Sequence, residues 1–168
     1  MLDGFRLIAK YDLLAVEPGQ KLVIVDWKTS GKRPTRERLA KRLQTIVYRY
    51  KPVEAGMQLN GGTPVQPEQI SMMYWFAEYP EQPLIFDYDA GQHQEAGEYL
   101  LGLIRDIQAR TDFELTSDTN HCKYCVYRSL NQRGTAAGNL WEEDQLDIEA
   151  DVTPDTGFDF DQIAEIEF

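Results

Sequence analysis

Leu22-Val23-Ile24-Val25-Asp26-Trp27-Lys28-Thr29 sets the reading of this chain. The apolar run predicts a buried strand, and it ends in a carboxylate and an ammonium two residues apart. Side chains repeat with period two along a strand, so Asp26 and Lys28 project from one face. Opposite charges at the end of a buried strand cost free energy unless something uses them. A divalent cation and a phosphate use both. The acid ligates the ion, and the lysine holds the anion or the attacking water.

Working outward, a second carboxylate arrives from the preceding segment. Residues Phe5 to Val16 read as extended, and Glu17-Pro18-Gly19-Gln20 reads as a turn by its Pro-Gly pair. The resulting hairpin brings Asp12 within a few residue pairs of Asp26. Alone, Asp12 reads as a strand-end residue facing water. Beside Asp-x-Lys it reads as a second metal ligand.

Downstream, Thr35 is the expected N-cap of a helix, with Leu39, Leu43, Ile46, Val47 and Tyr50 at helical spacing. Gln44 and Tyr48 are four apart and share a face that borders this stripe. As an isolated pair they read as a solvated amide and a core ring. The segment 32–42 holds six basic residues, Lys32, Arg33, Arg36, Arg38, Lys41 and Arg42, against the single acid Glu37. Such a run is either a solvated helix face or a track for a phosphate backbone. Both readings stand.

Asp12, then Asp26-Trp27-Lys28, then Gln44-Thr45-Ile46-Val47-Tyr48 form an ordered set of motifs. The set resembles the PD-(D/E)XK nuclease superfamily, in particular its RecB-like branch with a trailing Q-x-x-x-Y signature. The stretch Pro67 to Phe76 looks like the following strand of a cyanobacterial-type subgroup. The resemblance covers roughly residues 5–134, with its sharpest motifs inside 12–48. It implies an α/β fold: a mixed central β-sheet flanked by helices, with a restriction-endonuclease-like core. It implies Asp12 and Asp26, helped by the Trp27 backbone carbonyl, as ligands of Mg²⁺ or Mn²⁺. Lys28 would orient or activate the water that attacks a DNA phosphodiester. Gln44 and Tyr48 would contact DNA or support the site, with Lys32, Arg33, Arg36 and Lys41 as further DNA-binding candidates.

Two parts of the family pattern are not matched. The branch carries a helix before its first strand, with a His or an acid that completes the metal site. Here Asp3 is the only acid ahead of Asp12, and no His precedes it. The expectation is an N-terminally incomplete or degenerate member. The second departure lies in His121-Cys122-Lys123-Tyr124-Cys125, which resembles the start of the cysteine run that holds a [4Fe–4S] cluster in relatives. Asn131 stands where the last cysteine of that run would be. Two thiolates cannot complete a cluster that needs four, so Cys122 and Cys125 read as remnants or as an incomplete site. Zinc would also lack a fourth ligand.

The formal net charge of −11 is unevenly spread. Residues 135–168 hold eleven acids and no Lys or Arg, so residues 1–134 balance to zero. The expected organisation is a nuclease-like domain over 1–134 and an acidic, mostly disordered tail over 135–168. The end of that tail interleaves Phe158, Phe160, Ile163, Ile166 and Phe168 with acids, which suits a solubilising tail, a protein-docking peptide or an internal DNA mimic. Two cysteines and the absence of a secretory or membrane-spanning run predict a cytoplasmic protein. Residues 68–78 and 84–88 read as strands, and 92–110 as a helix. His93 reads as a surface residue. Asn60-Gly61-Gly62 reads as a loop without the Lys and Ser/Thr of a phosphate cradle.

Overall fold

The computed structural model describes residues 4–29, 33–112, 114, 115, 117, 119, 122, 125–130 and 132–134. Lys32, His121, Asn131 and the acidic tail therefore lie outside the described residues. The chain divides into two units, Met1–Ser117 and Asp118–Phe168.

The first unit is built on a four-stranded sheet in the order β1-β2-β3-β4, with β1 Leu13–Glu17, β2 Lys21–Lys28, β3 Ile70–Phe76 and β4 Leu84–Asp87. β1 and β2 form the expected hairpin. Gly19 takes φ +77° after Pro18, and Gln20 N donates to Glu17 O at 3.0 Å. Proline pre-sets the first turn position, and glycine takes the left-handed second one without strain. The turn is braced from below: Gly19 N donates to the side chain of buried Asn60 at 2.6 Å. The Asn60-Gly61-Gly62 loop thus holds the hairpin.

β2 pairs with β3 in parallel, and β3 with β4 antiparallel, so the sheet is mixed. A parallel pair needs a crossover, and here it carries helices α1 Arg36–Ala40 and α2 Leu43–Ala55. Alternation decides which face they cover. Leu22, Ile24, Ile70, Met72, Tyr74, Phe76 and Phe86 point to the covered face and are buried with Leu39, Val65 and Tyr88. Tyr48 and Val53 of α2 pack against this cluster. Helix α3, Ala90–Ala109, packs on α2 through Tyr50, Ala96 and Leu100. It is capped by Asp89, whose side chain accepts from Gln92 N at 2.8 Å. The opposite sheet face carries Leu13, Trp27 and Ile85, all exposed.

One expectation needs correction. The apolar spacing from Leu39 to Tyr50 reads as a single helix, but the chain breaks at Lys41–Arg42, where Arg42 is extended and begins α2. The reason is a competing acceptor arrangement. The Leu39 carbonyl takes Arg42 N at 3.1 Å and the Thr45 hydroxyl at 2.6 Å in place of an uninterrupted ladder. His93 also departs from a surface role. It is half-buried, stacks on Tyr50 at 4.7 Å between centroids, and lies 3.2 Å from Tyr88 Oη and 3.1 Å from Glu54 Oε1.

In the second unit the described residues form successive turns. Cys125 N donates to Cys122 O at 3.3 Å, and Arg128 N to Cys125 O at 3.0 Å. Both cysteines are free and half-buried.

Candidate active site

Asp26 lies on the inward face of β2, one inward position before Lys28 at the end of the strand. It is paired in register with Tyr74 at the centre of the sheet and is 3% exposed. The carboxyl ends of strands are where open α/β sheets present functional groups. Burial there is tolerated because two side chains meet the carboxylate. Gln44 Nε2 donates to Oδ1 at 2.8 Å, and Lys28 Nζ stands 2.9 Å from Oδ2. Lys28 Nζ also donates to Gln44 Oε1 at 3.2 Å, closing a ring of three side chains. The amide orientation follows from chemistry: a carboxylate only accepts and an ammonium only donates. The break between α1 and α2 lets Gln44, in the first turn of α2, reach the strand.

The ring is not fully satisfied. Oδ2 of Asp26 meets the ammonium as an ion pair, but no hydrogen bond of good geometry reaches this buried oxygen. Burial is the largest influence on Asp26 and pushes its carboxyl above the ordinary value. Lys28 and Arg42 oppose that rise, and the charge of Asp12 adds to it.

Asp12 immediately precedes β1, whose first paired residue, Leu13, stands opposite Val25. Its exposed side chain accepts from Trp27 N at 2.9 Å. A residue's N–H and C=O leave an extended strand on the same side, so the Trp27 carbonyl faces the side of Asp12 as well. The segment before Asp12 is held by Tyr48. Its hydroxyl donates to Lys10 O, its ring meets Tyr11 edge-on at 4.9 Å, and its carbonyl accepts from Tyr11 Oη at 3.2 Å. That carbonyl is available because Pro52, four residues on in α2, has no N–H to give it. Gln44 and Tyr48 therefore share a helix face but serve opposite strands. The first meets Asp26, and the second secures the approach to Asp12.

The basic residues separate. Arg36 Nη2 donates to Ile85 O at 2.6 Å, and its guanidinium lies 4.5 Å from the Phe86 ring centroid. Arg33 Nη1 donates to Gln82 at 3.2 Å with its guanidinium 5.6 Å from the Phe76 centroid. Both fasten the crossover to β3 and β4. Lys41 is exposed at the break between the helices.

Three residues at or near the site have no sequence signal of function. Thr45 and Tyr74 are fully buried beneath Gln44 and Lys28. Arg49 is buried, bonded to Thr45 O, Asp87 O and Gln92 at 3.1 to 3.3 Å, and clasps α2 to β4 and α3.

The donor set suits a hard cation. It offers two carboxylates, one with an oxygen lacking an aligned hydrogen bond, and a backbone carbonyl nearby. Mg²⁺ keeps several waters, so few protein oxygens are enough. Among the described residues no group of three or more His, Cys, Asp or Glu gathers. A [4Fe–4S] cluster does not fit the described residues, because Cys122 and Cys125 supply two thiolates of the four needed.

A mixed four-stranded sheet with helices, bearing Asp-x-Lys at the end of its second strand, defines an α/β fold of the restriction-endonuclease-like type. The chain belongs to the PD-(D/E)XK nuclease superfamily, whose family model matches residues 2–130. No curated protein and no solved structure matches it. Nucleases of this superfamily generally use divalent metal ions and act on DNA. No helix among the described residues is long and apolar enough to cross a membrane.

Proposed function

We propose that this chain is a metal-dependent DNA nuclease of the RecB-like, cyanobacterial-type branch, acting in repair, recombination or defence in the cytoplasm. The observation that carries the reading is the closed ring of Asp26, Gln44 and Lys28 around a buried carboxylate oxygen without an aligned hydrogen bond. Asp12, Asp26 and the Trp27 carbonyl would hold Mg²⁺ or Mn²⁺. When bound, the ion polarises the phosphoryl group and makes hydroxide available near neutral pH. Gln44 fixes the Asp26 carboxylate and the Lys28 ammonium relative to each other. Lys28 holds the attacking water or the phosphate oxygen at its Nζ. Tyr48 holds the Lys10–Tyr11 segment that leads into Asp12. The acidic tail, residues 135–168, is proposed to dock a protein partner.

Purified protein is expected to cleave single- or double-stranded DNA in Mg²⁺ or Mn²⁺ and to stop on chelation. Cleavage that persists with the metal removed overturns the metal assignment.

A catalytically degenerate DNA-binding module is the alternative. Its support is that no third acid joins Asp12 and Asp26 among the described residues. On that reading DNA binding persists without metal and weakens with salt. Lys41→Ala is expected to reduce the slope of log affinity against log salt by about one phosphate contact. The same loss after Arg36→Ala would instead come with lower stability, because Arg36 fastens the crossover to β4. Absence of binding at low salt excludes the module.

A further inference from the structure

The geometry points to the buried hydroxyl pair Thr45–Tyr74 as the positioning device for Gln44 and Lys28. This deepens the nuclease reading and rests on it. Thr45 lies on α2 next to Gln44, and Tyr74 lies on β3 opposite Asp26. Both are fully buried, and their hydroxyl oxygens are 2.6 Å apart.

Proton accounting fixes the direction of that bond. Thr45 has one hydroxyl proton, and it goes to Leu39 O at 2.6 Å. Tyr74 must then be the donor to Thr45. Its proton is committed, so the 3.5 Å approach of Tyr74 Oη to Gln44 Oε1 is a contact rather than a competing donation. Gln44 Oε1 is thereby kept for Lys28.

The ring of Tyr74 acts on the same pair. Lys28 Nζ stands 5.4 Å from its centroid, within range of a cation–π attraction. One tyrosine therefore carries Lys28 on its ring and is fastened, through Thr45, to the helix turn that presents Gln44. The chain from Leu39 O through Thr45 and Tyr74 sets the depth of α2 over the sheet where the amide must span from carboxylate to ammonium. Two hydroxyls that merely satisfied each other in a core would affect stability alone. A positioning pair also affects turnover, because small displacements of a catalytic group are costly to rate.

The test uses Thr45→Val, Thr45→Ser and Tyr74→Phe in the full chain, assayed well below each variant's melting midpoint. Thr45→Val keeps the shape and loses the hydroxyl. It is expected to lower kcat about tenfold or more with KM unchanged. Thr45→Ser is expected to restore kcat to within about twofold, and Thr45→Val with Tyr74→Phe to be no worse than Thr45→Val alone, as for two members of one bond. The Gln44 side-chain amide resonances are read in parallel. They are expected to be distinct in wild type and Thr45→Ser, and to collapse toward exposed-amide positions in Thr45→Val. Wild-type kcat in Thr45→Val overturns the proposal. So does a fall in kcat with unmoved Gln44 resonances, because the loss then does not run through the amide. If wild type cleaves no DNA under any metal, the nuclease reading fails and the Gln44 resonances alone decide the positioning role.

Discussion

Lys28→Ala is expected to reduce kcat/KM for DNA cleavage by roughly 10² to 10⁴, the range for loss of a positioned group acting on the attacking water or its proton. The effect is large because Lys28 brings its ammonium to 2.9 Å from Asp26 Oδ2. Gln44 reaches its ammonium at 3.2 Å but carries no charge, and Arg33 and Arg36 are held against Phe76 and Phe86. Removing the ammonium also takes the ion pair away from Asp26 Oδ2. Mn²⁺ binding is therefore expected to be retained, because a competing cation has left the carboxylate. Single-turnover cleavage and calorimetric titration of Mn²⁺ separate the two effects. Robust cleavage by Lys28→Ala would remove Lys28 from the mechanism, and lost Mn²⁺ binding would recast it as a scaffold for the acid.

Asp26→Asn is expected to lose activity by about a hundredfold or more, since the ion supplies several kcal/mol of charge stabilisation. It should nevertheless not lose stability at pH 7. The sign follows from burial, which raises the carboxyl of Asp26 above its ordinary 3.8. A folded state that binds the proton more tightly than the unfolded chain loses stability as pH rises between the two values. Wild type therefore carries the penalty of an ionised buried acid above its folded value, and the amide does not. The difference in melting midpoint in favour of Asp26→Asn should grow as pH rises from the ordinary carboxylate value and then level off. Asn places a donor toward Lys28, but that side chain is about a quarter exposed and can turn to water. A difference that shrinks with rising pH would show that Lys28 outweighs burial at Asp26. Active sites commonly hold such destabilising groups.

Much of this was legible in the sequence, for reasons that differ by element. The alternation of Ile70, Met72, Tyr74 and Phe76 settles β3 because period two on a half-buried sheet leaves few other solutions. Asp26 and Lys28 share a face for the same reason, and the Pro-Gly turn places Asp12. The break at Lys41–Arg42 was hidden because the apolar spacing runs through it, and its cause is a hydroxyl bond between Thr45 and Leu39. The roles of Arg33 and Arg36 were equally hidden. A guanidinium serves a phosphate or a carbonyl and a ring equally well, and only the fold brings Ile85 and Phe86 to it. Tyr74 reads as core from its pattern, and it is core. Its second duty depends on which residues stand above it.

Asp12 and Asp26 are secured by different means. Asp26 is buried within the paired sheet, in register with Tyr74. Asp12 precedes the first paired residue of an edge strand and depends on the two tyrosines, one of them bound to the carbonyl that Pro52 leaves open. Local opening draws on segments with few buried contacts and exposed hydrogen bonds. The tyrosine latch can therefore release while the sheet stays folded. The molecule then has two levels of order. One keeps the fold. The other, shallower level assembles the second carboxylate, and amide exchange around Lys10 and Tyr11 should run faster than in β2 and β3. Competence to bind a cation would then vary within a population that is fully folded.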